Sequence, residues 1–285
     1  MKVQWSDYLQ LAKPRIVSMV MVTTLLGYYL GARSLGNLPL LVLTLLGVAL
    51  GSAGAAVLNN YLEKDLDLRM NRTRNRALPA GRLPPLHALV MGTASVVGGV
   101  LMLAVAVNLL TSFLVLLAAF LYVLVYTPMK RLTWFNTSVG AVPGAIPPMA
   151  GWAAATGGLE AGAWIVFAIL FLWQHPHFYA IAWMFKEDYA RGGFKMLPPG
   201  GNGSRAFRHV LVHCALLLVA SLLPTLIGLT GWMYTVGVLV LGLGFAGAGW
   251  TLARTGAVHD ARRLLRASII YLPAWLLLTV IDITF

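Results

Sequence analysis

Charge is scarce in this chain, and negative charge scarcest. Of 285 residues only 11% are charged, and nine Asp and Glu stand against 21 Lys and Arg. A soluble domain carries roughly a quarter charged residues, so the composition excludes a water-soluble globular enzyme. Cysteine is nearly absent. The single Cys214 excludes an intrachain disulfide, and its place in an apolar run suits a small packing residue. The alternation of a membrane barrel is also missing.

What remains is apolar. Hydrophobic residues make up 59% of the chain, and the mean hydropathy is +0.78. A spanning helix needs about 20 mainly apolar residues. About nine such segments are read from the sequence, near 15–33, 38–60, 86–107, 110–127, 136–157, 161–185, 209–229, 232–252 and 267–284. In lipid each must close its own backbone hydrogen bonds, so all are expected to be helices. The predicted fold is an all-α integral membrane protein forming a single domain over 1–285. Two four-helix halves, about 15–127 and 136–252, are followed by a ninth helix at about 267–284.

The basic residues are unevenly placed. Twenty of the 21 Lys and Arg, all but Arg33, fall in the N-terminal tail and every second loop. The set runs from Lys2, Lys13 and Arg15 to Arg254–Arg266. This positive-inside pattern predicts a cytoplasmic N-terminus, cytoplasmic charged loops and an outside C-terminus. It accounts for the net charge of +12 without nucleic acid, and most of these bases read as topology signals and lipid-headgroup partners. The first apolar run has span length and no small-residue cleavage site before a soluble domain. No acid-poor amphipathic leader precedes it, so a bacterial or archaeal plasma membrane is expected.

One stretch departs from the rest. NNYLEKDLDLRMNRTRNRALPAGR (59–82) holds three acids and six bases. At 100° per residue, Asn59, Asn60, Glu63 and Asp67 share a stripe about 100° wide, with Asp65 on the opposite side. Hard oxygen donors at a helix end suit Mg²⁺, which is held by a few carboxylates plus substrate phosphates. Arg72, Arg74, Arg76 and Arg82 are placed to grip phosphate oxygens. A solvated helix end whose acids neutralise nearby bases is the plainer alternative.

A second cluster lies about 125 residues on, in WQHPHFYAIAWMFKEDYARGGFKMLP (173–198). Glu187 and Asp188 would form a second acidic wall beside Lys186. His175 and His177 flank Pro176 and point to opposite faces of a regular helix. They could share one metal only if Pro176 unwinds the turn. Each is a core histidine or a substrate contact. In YTPMKRLTWFNTSVGAVPGAIPPMAG (126–151), Lys130 and Arg131 could reach a diphosphate or anchor helix ends. Asn136 could touch substrate, while Gly140 and Gly144 suit close helix packing.

These stretches resemble the UbiA superfamily of intramembrane prenyltransferases. The likeness is closest to its branch that farnesylates protohaem IX, and it covers nearly the whole chain. The most specific parts are NNYLEKDLDLRMNRTRNR, YTPMKRLTWFNTSVGAVPGAIPP, WQHPHFYAIAW and KEDYARGGFKMLP. The resemblance implies that Asn59, Glu63, Asp67 and Asp188 are catalytic and hold Mg²⁺, with Mn²⁺ as the alternative ion. It implies substrate contacts from Asn60, Arg72, Arg76, Lys130, Arg131, Asn136, His175, His177, Lys186 and Tyr189. Farnesyl diphosphate and haem b would be the substrates, and haem A synthase or a haem–copper oxidase the partner enzymes. Two positions depart from the family pattern. Glu63 stands where Asp is usual, and Met184 replaces the earlier acid of the second motif. Other readings are a different acceptor (4-hydroxybenzoate, a quinone precursor or chlorophyllide), a transporter, or a non-catalytic oxidase-assembly scaffold. A transporter usually keeps its polar site near mid-span, whereas this charge lies at one face.

Overall fold

The computed structural model describes residues 4–199 and 203–284. Lys2 and residues 200–202 of the second long loop lie outside them. The described chain is helical, with one isolated bridge between Thr230 and Ile283.

Helix α1 (Trp5–Ala12) leads directly into α2 (Pro14–Ala32). Lys13 joins them in the left-handed conformation, at φ 51°. Helices α3 (Leu38–Asp67) and α4 (Pro85–Ala106) follow. Then come α5 (Leu109–Phe120), a π-helical turn (Leu121–Tyr126) and α6 (Thr127–Leu132), stacked as one continuous rod. Helices α7 (Asn136–Thr156), α8 (Ala161–Met184), the short α9 (Lys186–Arg191), α10 (Ser204–Leu226), α11 (Trp232–Thr255) and α12 (Val258–Ile281) complete the order. Eight of the long helical segments are apolar enough to cross a membrane. Helix α7, rich in Gly and Pro, matches the remaining predicted span in position and length. Its core-facing side is almost wholly buried. Large apolar residues such as Leu101, Val105, Val219 and Leu243 stand exposed on the outer surface, which lipid would cover. The protein is a multi-pass membrane protein.

The sequence expectation misses most clearly near the C-terminal end. Residues 252–267 are predicted as a basic loop, but α11 runs to Thr255 and α12 starts at Val258. Asp260 in the first turn of α12 accepts from Thr255 Oγ1 at 2.7 Å and from Arg263 at 3.1 Å. An acid at a helix N-terminus is favourable, so the charged segment forms the first turns of α12 and the connection shrinks to residues 256–257.

Two packing features place the site. Helices α2 and α7 touch backbone to backbone: a Cβ on Gly27 would sit 1.9 Å from the Pro148 carbonyl oxygen. Only glycine permits that approach. In the α5–α6 rod, Pro128 has no N–H to give to the preceding turn. There Thr127 N–H bonds to the Tyr122 carbonyl, five residues back. The widened turn turns both Tyr122 and Tyr126 into the bundle interior, consistent with π-turns at functional sites.

Candidate functional site

Glu63 and Asp67 lie one helical turn apart near the end of α3, and both are buried. Asp65, between them, is 81% exposed, as the helical stripe requires. Glu63 Oε1 accepts from Lys130 Nζ at 2.7 Å, and Asp67 Oδ2 from Arg76 at 2.7 Å. Asn59 Oδ1 accepts from Lys13 Nζ at 3.1 Å, while its amide donates to Thr127 Oγ1 at 2.9 Å. Lys13, Asn59, Glu63, Asp67, Arg76 and Lys130 line a polar cavity of about 140 Å³, closed by Arg72, Tyr122, Tyr126 and Tyr189. Lys13, Arg72, Arg76 and Lys130 outnumber the two carboxylates, so the wall favours an anion of more than one charge. Burial, then the cations of Arg76 and Lys130, pushes the Lys13 ammonium down to about 7.

An apolar cavity of about 250 Å³ adjoins it. Its walls include Val48, Ser52, Ala55, Val115, Ile146 and Phe178. Lys13, Tyr122 and Tyr126 line both cavities. A polar head chamber therefore opens onto a greasy chamber at a junction of one ammonium and two phenol rings. The aromatic pair packs with centroids 5.5 Å apart, and Lys130 Nζ sits 4.5 Å from the centre of the Tyr126 ring.

Among the described residues no three His, Cys, Asp or Glu groups converge on a metal position. The donor set is nonetheless right for a hard cation. Mg²⁺ is often bound by one or two carboxylates, with substrate phosphates and water completing its octahedron. Glu63 and Asp67 supply two carboxylates and Asn59 a neutral oxygen.

The predicted residues divide. Asn59, Glu63, Asp67, Arg72, Arg76, Lys130 and Tyr189 meet at the polar cavity. Asp188 does not line it, correcting the reading of a second acidic wall. Its carboxylate accepts from the Asn71 amide at 2.8 Å, the Arg72 amide at 3.3 Å and the Arg191 guanidinium at 2.5 Å. Burial raises its pKa, but these three donors outweigh burial and hold it below the ordinary carboxylate range. Asp188 thus fixes the turn that carries Arg72, whose guanidinium donates to Tyr189 Oη at 2.9 Å.

Others also stand elsewhere. Asn60 turns to α1, donating to the Leu11 carbonyl at 3.1 Å. Arg131 is exposed and lines neither chamber, and Lys186 lies over the Trp183 ring at 4.5 Å. Arg82 pairs with Asp7 at 2.9 Å. Asn136 donates to the Lys195 carbonyl at 2.8 Å. Helix α8 continues through Pro176, so the histidines face apart. His175 bonds Ser138 at 3.0 Å and stacks on His213 at 3.9 Å, whereas His177 bonds Ser268 at 2.8 Å. Gly140 and Gly144 serve packing, against Tyr126 and Gln174.

Sequence reasoning treats Lys13 as a topology signal and passes over Tyr122. Neither has a local motif. The α1–α2 junction brings Lys13 beside Asn59, 46 positions away. The only signal for Tyr122 is its distance from Pro128.

The UbiA prenyltransferase family profile matches residues 20–272. A protoheme IX farnesyltransferase of Solibacter usitatus is 44% identical over 277 residues, covering 94% of this chain and 95% of that protein. One of Salinibacter ruber is 45% identical over 284 residues, covering 97% and 98%. The solved structure of a digeranylgeranylglyceryl phosphate synthase superposes with a TM-score of 0.82 at 16% identity, covering 97% of each chain. A UbiA homologue from Archaeoglobus fulgidus, bound to GPP and Mg²⁺, gives 0.70 at 15% identity, covering 96% of this chain and 99% of that one.

Proposed function

The chain belongs to the UbiA prenyltransferase family, and from that premise we propose that it farnesylates haem b to haem O in a plasma membrane. The observation that carries this reading is the shared junction of the polar and apolar chambers at Lys13, Tyr122 and Tyr126. A prenyl diphosphate has the same division, with an anionic head and a hydrocarbon tail.

In this reading Lys13, Arg72, Arg76 and Lys130 hold the diphosphate and stabilise the charge that develops on it as the C1–O bond breaks. Mg²⁺, or Mn²⁺ in its place, would be held by Glu63, Asp67 and Asn59 and would add Lewis-acid neutralisation of the leaving group. The rings of Tyr122 and Tyr126 face the allylic carbon, where an aromatic face favours positive charge. The apolar chamber aligns the chain and keeps water from the cation. A haem vinyl carbon then bonds to C1. Water adds to the carbon left electron-poor and gives up a proton, so haem b, farnesyl diphosphate and water become haem O and diphosphate. We read the acidic end of α3 as cytoplasmic, the side that the basic loops favour. The two four-helix halves are read as one duplicated unit.

An acceptor panel tests the assignment. Purified protein receives farnesyl diphosphate and Mg²⁺ with haem b, 4-hydroxybenzoate or chlorophyllide. Product from haem b alone is expected. Prenylation of a phenolic acid with none of haem would overturn the acceptor and leave the prenyltransferase standing.

A further inference from the structure

The reaction proposed above makes two opposite demands on the apolar chamber. It must stay dry around the allylic cation, yet one water must reach the carbon left electron-poor once the new C–C bond has formed. Among the described residues, and apart from the junction groups Lys13, Tyr122 and Tyr126, the chamber wall carries two polar side chains, Ser52 and Gln174. Ser52 stands about two turns from Asn59 along α3, toward the far end. Gln174 stands close to the junction. On α7, Gly140 and Gly144 both line the chamber, one turn apart. A Cβ on Gly140 would sit 2.5 Å from the Tyr126 ring, and one on Gly144 would sit 2.1 Å from Gln174 Oε1. The Gln174 oxygen thus lies about 6 Å along α7 from the ring that marks the junction.

Its carboxamide is held in one orientation. Nε2 donates to the Ala141 carbonyl at 3.0 Å and to the Leu170 carbonyl at 3.1 Å. The two carbonyls take up both N–H groups and fix which end is nitrogen. Oε1 is left over Gly144, at the chamber wall. Gln174 is only 6% exposed, and no described residue donates to this oxygen. A buried acceptor without a protein donor calls for water or a ligand. The neighbouring turn of α7 is also short of donors. Pro147 and Pro148 lack the N–H that would close the helical ladder on the carbonyls of Pro143 and Gly144, and both of these residues line the chamber.

We propose that Gln174 Oε1 holds the single water that adds to the electron-poor carbon. The inference rests on the haem reading above and adds the residue that positions its hydroxyl. A water that donates to acceptors keeps a lone pair free for attack, whereas a donor would tie that lone pair up. When farnesyl C1 bonds to the terminal vinyl carbon, the neighbouring carbon carries the positive charge. The lone pair of the held water forms a C–O bond there, and the resulting oxonium gives one proton to the released diphosphate. Gln174 orients the water and takes no proton. Without that water the same cation loses a proton from the adjacent CH₂ and closes to an alkene, a product lighter by one water.

Mass analysis of the haem product tests the assignment. Gln174→Met keeps the side-chain length and removes the acceptor, while Gly144→Ala keeps Gln174 and displaces its oxygen. In both, the share of prenylated haem that carries the hydroxyl should fall about tenfold or more, as expected for a misplaced nucleophile, with the remainder appearing as the alkene. Binding of a non-hydrolysable farnesyl diphosphate analogue with Mg²⁺, followed by calorimetry, should be unchanged, which shows that the fold and the donor site are intact. The unaltered protein offers a test that needs no variant. Methanol added to the assay should give no methyl ether of the product, because a held water adds and not open solvent. An unchanged hydroxyl share in a variant that binds the analogue, loss of both products in such a variant, or methyl ether rising with methanol would overturn the water site. If the unaltered protein still makes haem O in that case, only the water site falls. If it makes no prenylated haem at all, the haem reading falls with it.

Discussion

Lys130 Nζ lies 2.7 Å from Glu63 Oε1 and joins α6 to α3 across the mouth of the polar chamber. Both side chains are nearly buried, at 12% and 7% exposure. Removing one partner of such a pair strands the other charge, at a cost of about 3 kcal/mol. Lys130→Met should therefore lower thermal stability and abolish turnover. Adding Glu63→Gln should restore most of the stability and none of the turnover. Recovery of activity in the double variant would show that the pair serves only to hold the helices.

On the proposed reading, the apolar chamber measures the prenyl chain. Ser52 lines that chamber and lies seven residues before Asn59, about 10 Å along the helix. Ser52→Phe should fill the far part of the chamber. We expect kcat/KM for farnesyl diphosphate to fall tenfold or more, in line with the roughly 10–200-fold effect of one methylene in a fitted pocket. Geranyl diphosphate should be spared. Equal losses for the two donors, measured side by side, would place the chain elsewhere.

Asp188 positions Arg72 through the amides of residues 71 and 72. Asp188→Asn should raise KM for farnesyl diphosphate several-fold, roughly the loss of one or two charged hydrogen bonds, and leave kcat and the Mg²⁺ dependence nearly intact. A large rise in the Mg²⁺ concentration needed for half-maximal rate would instead make Asp188 a metal ligand.

The N-terminal helix is held by a pH-sensitive tie. The Arg82 hydrogen bond keeps Asp7 below its ordinary value of 3.8. A depressed carboxylate contributes stability above that value and loses it as pH falls through the folded one. Protection of the amides of residues 5–12, taken as hydrogen exchange relative to the intrinsic rate at each pH, should fall below about pH 4. In Arg82→Met that protection should be low already at about pH 5. Protection that stays constant in the unaltered protein as pH falls through that value would rule the tie out.

The spans and the acidic stripe are legible because each depends on neighbours in sequence. Length and hydropathy locate the helices, and 100° per residue puts Glu63 and Asp67 on one face with Asp65 opposite. What is not legible depends on distant partners. Asp188 looks like a ligand until the turn at 71–72, some 117 positions away, is seen to occupy its oxygens. Asn60 sits on the correct stripe, yet α1 packs there and takes its amide. Lys13 needs the left-handed joint between α1 and α2 before it can meet Asn59.

The most direct measurement resolves the product by mass. Purified protein in detergent receives haem b, farnesyl diphosphate and Mg²⁺, beside an Asp67→Asn control and a chelated sample. We expect a haem heavier by one farnesyl group plus water, absent from both controls. Undiminished product from Asp67→Asn, or none from the unaltered protein when haem binding is detected, would contradict the assignment of this chamber and its chemistry.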